Sequence, residues 1–358
     1  MKKRVFAALL ALTFIITLFS LSACGGRGDA DVHVFYYTYS DTYISSVRSA
    51  LGKALQDKGI GYQDYDGNGN QTTQTEQIRT AITKGARALL VNIVNTGSDD
   101  AANEIVGLAR DAGIPLIFFN REVSDTVIES YDNCVFVGTS AIESGILQGE
   151  MIGEYLLEHY NAVDLNNDGV ISYIQFKGEE GNNEAIYRTQ YSVIKANEAL
   201  NGAGKPSLRF YDPANSNNYH VDQNGQWSAA AANEYMTTAL ASYSMANGNM
   251  IELVICNNDS MAEGAISALK TAGYNNGGNT ISIPVFGVDA TEAAKTLIRD
   301  GAMTGTVEQD AGGMADALAL LAGNALDESK GLMDGTEDLS IDENVRKIRI
   351  HYAKYLGE

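Results

Sequence analysis

The sequence predicts an α/β fold made of two doubly wound parallel-sheet domains. Short apolar runs of strand length alternate with stretches of helical spacing along the body of the chain. Such runs between helices are typical of parallel strands that are covered on both faces. The chain has 358 residues, 45% hydrophobic and 20% charged, which suits two domains of ordinary size with full cores. We expect about five strands in each sheet.

The elements follow in a regular order. Residues 32–39 (VHVFYYTY) predict the first strand, and a helix is expected over 41–56. The other expected strands are 88–94, 115–120, 135–140, 171–176, 207–211, 251–258 and 283–289, with a strand-like run at 303–307. A helix that ends at Arg110 is expected after 88–94, and a helix over 144–160 is expected after 135–140.

The N-terminus predicts a targeting segment. Basic residues 2–4 precede an apolar run over 5–21, which ends in Leu-Ser-Ala before Cys24. This order is typical of a signal peptide, and a Cys at the first mature position resembles the bacterial lipobox. We expect residues 1–23 to be removed, Cys24 to carry lipid, and residues 24–31 to tether an extracytoplasmic protein that meets the membrane only through this anchor. An ordinary secretory signal and an uncleaved anchor are the alternatives.

Composition excludes some classes of protein. A net charge of −20 argues against a nucleic-acid-binding protein, since phosphates need a basic face. Three cysteines are too few for a disulfide framework. Cys134 and Cys256 lie in apolar strand-like runs and are expected to be buried small hydrophobes.

Polar residues follow nearly every predicted strand. Ligands bind at the carboxyl ends of parallel strands, and planar groups with two hydrogen-bonding positions match the vicinal hydroxyls of a sugar. Tyr43 and Trp227 could supply flat faces for a sugar ring. Asp and Asn at these places could instead cap helices or form turns. The candidate binding residues are Asp41, Tyr43, Asn120, Asn182, Glu184, Arg188, Trp227, Asn258, Asp289 and Gln309.

Residues 164–172 (DLNNDGVIS) have the spacing of an EF-hand calcium loop. The sharp turn falls at Gly169, whereas Gln175 stands where an EF-hand has its bidentate Glu. Glu252 begins the third strand of the same domain, at the same end as the loop, and is expected to complete a structural Ca²⁺ site far from the sugar groups. A surface turn without an ion is the alternative. The expected ligands are Asp164, Asn166, Asp168, the Val170 carbonyl, Ser172 and Glu252.

Several long segments resemble the periplasmic D-galactose/D-glucose-binding proteins of ABC sugar transporters. They include YSDTYISSVR, PLIFFNRE, VFVGTSAIESGILQGE, DLNNDGVIS, ICNNDSMAEGAI and IPVFGVDA. The resemblance implies the type I periplasmic-binding fold, in which two domains joined by a three-stranded hinge close on a sugar. The expected domains are 32–139 with 310–349 and 140–309 with 350–358.

The resemblance also implies roles for individual residues. Tyr43 and Trp227 take the places of the ring-stacking aromatic residues. Asp41, Asn120, Arg188, Asn258 and Asp289 match sugar-binding positions, and Glu252 matches the distant calcium ligand. Asn182, Glu184 and Gln309 depart from the family, which has His, Asp and Asn there. Residues 212–226 resemble an insertion relative to the family's shorter connection at this place. Such an insertion could shift Trp227, and Tyr219 would then be the stacking group.

We therefore expect a monomeric, lipid-anchored receptor of an ABC importer that binds D-galactose or D-glucose and docks on a permease. A receptor for a pentose or a glycoside is one alternative. Another is a sensor read by a chemoreceptor or a histidine kinase. A glycosidase using Asp41 and Asp289 is disfavoured, because the sequence shows no nucleophile–base pair.

Overall fold

The computed structural model describes residues 30–342 and 345–357. Cys24, the expected signal peptide 1–23 and most of the expected tether lie outside this part of the chain. Within it, no helix is long and apolar enough to cross a membrane.

The first sheet has seven strands in the order β12-β13-β5-β4-β3-β1-β2. All neighbours are parallel except β12 and β13. Its strands are β1 Val32–Tyr36, β2 Tyr62–Asp66, β3 Ala88–Val91, β4 Leu116–Phe119, β5 Cys134–Gly138, β12 Ser340–Ile341 and β13 Lys347–Arg349.

The second sheet also has seven strands. The order is β14-β11-β10-β9-β6-β7, and β8 pairs with the same edge of β6 as β7 does. Only β14 is antiparallel to its neighbour. The strands are β6 Ser172–Lys177, β7 Arg209–Phe210, β8 His220–Val221, β9 Leu253–Cys256, β10 Val285–Asp289, β11 Gly305–Gln309 and β14 Tyr352–Tyr355.

Helices cover both faces of each sheet because successive strand residues point to opposite sides. In β1, Val34 packs with one core cluster while Phe35 packs with another. Both expected buried cysteines, Cys134 and Cys256, lie in such clusters. Within the described residues the α-helices are Thr42–Asp57, Gln71–Thr83, Asp100–Ala112, Asp125–Glu129, Ala141–Val163, Asn183–Gly202, Ala229–Ser242, Asp259–Thr271, Glu292–Arg299 and Ala311–Leu326.

The chain passes between the two sheets three times. It leaves β5 for the helix Ala141–Val163, which packs on the second sheet, and it leaves β11 for the helix Ala311–Leu326, which packs on the first. It crosses again between β13 and β14. We call the two halves lobes and the three crossings the hinge. The loops after the strands of both lobes line the cleft between them.

The expected strands are confirmed in place, with ends that differ by a few residues, but about five strands per sheet was wrong. The sequence analysis missed β2, β8, β12, β13 and β14. These strands lie at or near sheet edges and lack a long apolar run; β2 reads YQDYD and is only partly buried. Two of them, β12 and β14, pair antiparallel, which strand–helix alternation cannot predict.

Candidate functional site: a polar cleft between the lobes

Thirteen side chains line a cavity in the cleft, with about 370 Å³ of space free of protein atoms including its open mouth. The structure brings all ten candidate binding residues together here, from both lobes. The lining residues are Tyr37, Asp41, Tyr43, Ile44, Asn120, Arg121, Asn182, Glu184, Arg188, Trp227, Asn258, Asp289 and Gln309.

Three of the candidate residues also cap helices. Asp41 Oδ1 accepts from the Ile44 amide at 2.8 Å, and Asn182 and Asn258 accept from the amides three residues on. The helix-capping alternative therefore applies to these three residues as well. Each cap uses one side-chain atom and fixes the rotamer, so the remaining polar atoms stand in a defined position at the cleft.

The first-lobe wall is held by a short polar network. The Tyr37 hydroxyl donates to Asp41 Oδ2 at 2.7 Å. Asn92 Nδ2 donates to Asn120 Oδ1 at 3.1 Å, and Asn120 adopts a left-handed φ of 61°. That conformation is tolerated best by Asn among residues with a side chain. The bond from Asn92 leaves the Asn120 amide nitrogen to face other partners.

Arg188 connects the cleft to all three hinge crossings. Its Nη2 donates to the Tyr352 hydroxyl at 2.9 Å and to Gln309 Oε1 at 3.3 Å, and Thr139 Oγ1 donates to Tyr352 at 2.8 Å. Thr139 follows β5, Gln309 ends β11 and Tyr352 begins β14. The guanidinium also lies 3.8 Å from Asp289 Oδ1. A group that binds Arg188 is therefore connected to the hinge through this single side chain.

Two cleft carboxyl groups are buried. Burial raises the pKa of Asp289 well above its usual range, although Arg188 opposes the shift. Burial likewise raises the pKa of Glu184, against the lowering effect of its own backbone N–H, which lies outside hydrogen-bond geometry, and of Arg188. Both carboxylates are more costly to ionise in the unliganded fold than in water.

Unpartnered buried polar atoms concentrate in this cleft. Of seven such side-chain atoms in the described part of the chain, four belong to cleft residues: both carboxylate oxygens of Glu184, Nε of Arg188 and Nε of Arg121. Buried polar groups normally have partners. The cleft thus lacks hydrogen-bond donors for a carboxylate and acceptors for two guanidinium groups.

Trp227 forms one apolar wall and fits only because residue 178 is glycine. A Cβ at Gly178 would lie 2.0 Å from the indole Cδ2. Trp227 itself has a positive φ of 55°. The adjacent Ser228 is held by Asp222, which accepts from its amide at 3.0 Å and its hydroxyl at 2.7 Å. Asp222 belongs to the 212–226 segment, which therefore helps to fix the indole.

The alternative that Tyr219 replaces Trp227 was wrong. Tyr219 lies outside the cleft, where its hydroxyl donates to Glu180 at 2.8 Å and its ring lies 4.5 Å from Lys177 Nζ. The 212–226 segment leaves after β7 and returns as β8 along the same edge of β6. Its tip is therefore directed along the outside of the second lobe.

Three lining residues, Tyr37, Ile44 and Arg121, were not predicted. Tyr37 and Arg121 each lie next to a strand end, Arg121 directly after the predicted Asn120. That adjacency was an available signal. Arg121 also forms an ion pair in the cleft with Glu179, which lies 58 residues further along the chain. No local sequence signal predicts that pair.

The expected calcium loop lies at the amino end of β6, opposite the cleft. Glu252 Oε1 accepts from the amides of Leu165 and Asn166 at 2.7 and 3.2 Å, and its Oε2 accepts from the Ser172 amide at 2.9 Å. The strand that follows Glu252, β9, is hydrogen-bonded to β6 as expected. The carboxylate therefore faces the loop across the sheet.

Within the loop, Asp164 accepts from the amides of Asp168 and Gly169, and Gly169 has a positive φ of 80°. Arg209 Nη2 contacts Asp168 Oδ2 at 2.5 Å. In the described residues, no three His, Cys, Asp or Glu side chains are arranged as a metal cluster. The oxygen donors suit a hard cation chemically, whereas Arg209 already engages one of them.

Comparison with known proteins agrees with this architecture. Residues 32–330 match the periplasmic binding protein domain family. The chain is 34% identical over 332 residues to the D-galactose/methyl-galactoside binding periplasmic protein of Haemophilus influenzae, covering 92% of this chain and 91% of that protein. It is 30% identical to a putative rhizopine-binding protein of Rhizobium meliloti, covering 82% and 79%.

Solved structures share the fold at lower identity. A solute binding protein of an ABC transporter from Clostridium phytofermentans with bound β-D-glucose superposes with a TM-score of 0.68 at 21% identity, over 91% of this chain and 94% of that one. One from Bacillus halodurans with bound myo-inositol gives 0.67 at 24%, over 93% and 96%. With two lobes, a triple crossing and a family match over most of its length, the chain belongs to the periplasmic binding protein family.

Proposed function

We propose that the protein is the sugar-binding receptor of an ABC importer and that its ligand occupies the cleft between the lobes. The observation that carries this proposal is the set of four unpartnered buried polar atoms on Glu184, Arg188 and Arg121. A ligand that fits them must donate hydrogen bonds to a carboxylate and accept from two guanidinium groups. Each sugar hydroxyl does both.

D-Galactose and D-glucose are the proposed ligands. The Haemophilus influenzae relative is named for galactose and its methyl glycoside, and the Clostridium phytofermentans structure holds β-D-glucose. Other relatives are named for ribose, apiose and galactofuranose, so a pentose or a glycoside is the second candidate. Glu184 and Gln309 are one methylene longer than the Asp and Asn that the sequence resemblance implies at these positions, which favours a different fit of the ligand.

The proposed mechanism is closure of the lobes about the hinge, after which a permease recognises the closed form. Arg188 supports this mechanism, because it bonds to residues of the hinge crossings. Recognition of the same closed form by a chemoreceptor or a sensor kinase is compatible with it. The relatives named above are binding proteins, and we propose binding without turnover.

Calorimetry with D-galactose, D-glucose, D-ribose and methyl β-D-galactoside tests the proposal. Micromolar binding of at least one sugar is expected. Fluorescence of Trp227, the single tryptophan of the chain, should change on binding because the indole lines the cavity. Absence of heat and of any fluorescence change with every sugar would contradict the receptor function.

We further propose that the 164–172 loop and Glu252 bind one Ca²⁺ that stabilises the second lobe. Its ligands would be Asp164, Asn166, Asp168, the Val170 carbonyl, Ser172 and Glu252. The donor chemistry supports this, as does the orientation of Glu252 toward the loop amides. A melting temperature that rises with calcium relative to a chelator tests it, and Glu252→Gln should remove most of that rise.

We also propose that Cys24 is lipidated and anchors the protein outside the cytoplasm. The motivation is the order of basic, apolar and small residues before it. Palmitate labelling in a host that processes lipoproteins should mark the wild type. Equal labelling of Cys24→Ser would contradict lipidation at Cys24.

A further inference from the structure

One ion pair joins the two walls of the cleft. Arg121 follows β4 of the first lobe, and Glu179 follows β6 of the second. Arg121 Nη2 lies 2.7 Å from Glu179 Oε2, and the two side chains are 6% and 25% exposed. Among the ion pairs of residues 30–342 and 345–357, it is the pair that spans the cleft away from the hinge. Such a contact forms only when the lobes are together.

Arg121 is also anchored on its own lobe. Its Nη2 donates to the Val94 carbonyl at 2.9 Å, and its Cζ lies 4.5 Å from the centre of the Tyr37 ring. Tyr37 in turn donates to Asp41, a candidate ligand residue. The guanidinium is therefore positioned by the first lobe and does not depend on Glu179 alone.

The Nε donor of Arg121 is unused. Its Nε is buried without a partner, and the side chain lines the same cavity as Glu184 and Arg188. A buried donor of a charged group without an acceptor is costly. A ligand oxygen in the cavity that Arg121 lines would supply the missing acceptor.

We propose that Arg121 is a ligand-binding residue that couples occupancy of the cleft to closure of the lobes: Nε donates to a ligand oxygen while Nη2 pairs with Glu179 on the opposite wall. This inference rests on the proposed sugar-receptor function. A bound ligand orients and desolvates the guanidinium, which strengthens its bond to Glu179. The pair in turn slows release of the ligand by holding the lobes together.

A double-mutant cycle on the full chain tests the inference. Arg121→Lys keeps the charge but replaces the separate Nε and Nη2 donors by one nitrogen, which cannot stand at both positions. It should weaken binding of D-galactose or D-glucose, whichever the wild type binds more tightly, by roughly tenfold. Glu179→Gln should speed sugar release in stopped-flow Trp227 fluorescence. The loss of sugar affinity in the double variant should be smaller than the product of the losses in the two single variants, because both residues act through one guanidinium.

The pair Arg79–Glu104 is the matched control. Its atoms lie 2.6 Å apart within the first lobe, so Arg79→Lys and Glu104→Gln should leave affinity and release unchanged. Wild-type affinity in Arg121→Lys, or effects of Arg121 and Glu179 that multiply independently, would overturn the inference. A wild type that binds no sugar would instead refute the proposed function, so the two failures are distinguishable.

Discussion

The two ends of the second lobe treat their polar groups in opposite ways. At the carboxyl ends of the strands, Glu184 and Arg188 keep buried atoms without partners. At the amino end, both oxygens of Glu252 and of Asp164 accept backbone N–H groups, and Asp168 is engaged by an amide and by Arg209. Some buried polar groups of the cleft therefore lack hydrogen-bond partners, whereas the carboxylates of the loop already have them.

The difference between the two ends indicates where a ligand can gain binding free energy. Unpartnered buried groups destabilise the unliganded fold, and a ligand that supplies partners recovers that cost as affinity. A loop whose carboxylates are already satisfied gains mainly from the charge of a cation. We therefore expect mutations in the cleft to change affinity strongly and mutations in the loop to change stability.

The largest effect is expected for Asp289→Ala. This change removes a buried carboxyl acceptor beside Arg188 and should weaken sugar binding by more than about 2 kcal/mol. Calorimetry measures it. Asp300→Ala changes an exposed residue just after the helix Glu292–Arg299, which follows Asp289 in the chain. It is the control and should bind normally. Unchanged affinity in Asp289→Ala would place the ligand elsewhere.

Gly178→Ala should come next. The added Cβ would overlap the Trp227 indole, so the ring or the strand end must shift, at about 1–3 kcal/mol. Affinity should fall, and the tryptophan emission of the free protein should move to longer wavelength. Gly107→Ala, whose Cβ would meet nothing within 4 Å, is the matched control. A free-state spectrum identical to that of the wild type would contradict the packing argument.

Glu184→Gln should separate stability from binding. The pKa of Glu184 is raised above its ordinary 4.5 by burial, so the folded protein loses stability as pH rises from 4.5 through the raised pKa. The neutral amide avoids this loss and should stabilise the unliganded protein at pH 7 by about 1 kcal/mol, while sugar affinity falls.

Thermal unfolding at pH 4 and pH 7 checks this prediction. The gain from Glu184→Gln should be present at pH 7 and shrink at pH 4. The exposed Glu234→Gln should show neither change. A variant that is less stable than the wild type at pH 7 would mean that the carboxylate has partners.

The smallest effect is expected in the loop. Arg209→Gln removes the guanidinium that contacts Asp168. It should raise the calcium affinity of the proposed site severalfold, since the pair is exposed and of modest strength. Titration with calcium after chelation measures it, and the exposed Arg110→Gln serves as the control. Weaker calcium binding in Arg209→Gln would show that Arg209 supports the site.

Several features were determined by the sequence alone. Alternation of apolar runs and helical stretches predicted the two sheets, because a strand buried on both faces must be apolar throughout. Nine of the ten cleft residues could be predicted because the carboxyl ends of parallel strands meet at one edge. Trp227 was instead chosen as the single tryptophan, whose flat ring suits a sugar. The loop over 164–172 was recognisable because its spacing is local.

Only the tertiary structure decided the rest. The antiparallel edges β12 and β14, the fit of Trp227 over Gly178, the contact of Arg209 with Asp168 and the pair of Arg121 with Glu179 each join segments far apart in the chain or add short strands without an apolar pattern. Periodicity and motif spacing describe neighbours along the chain. Which distant side chains share a cavity depends on how the two lobes pack together, and that arrangement exists only in the folded molecule.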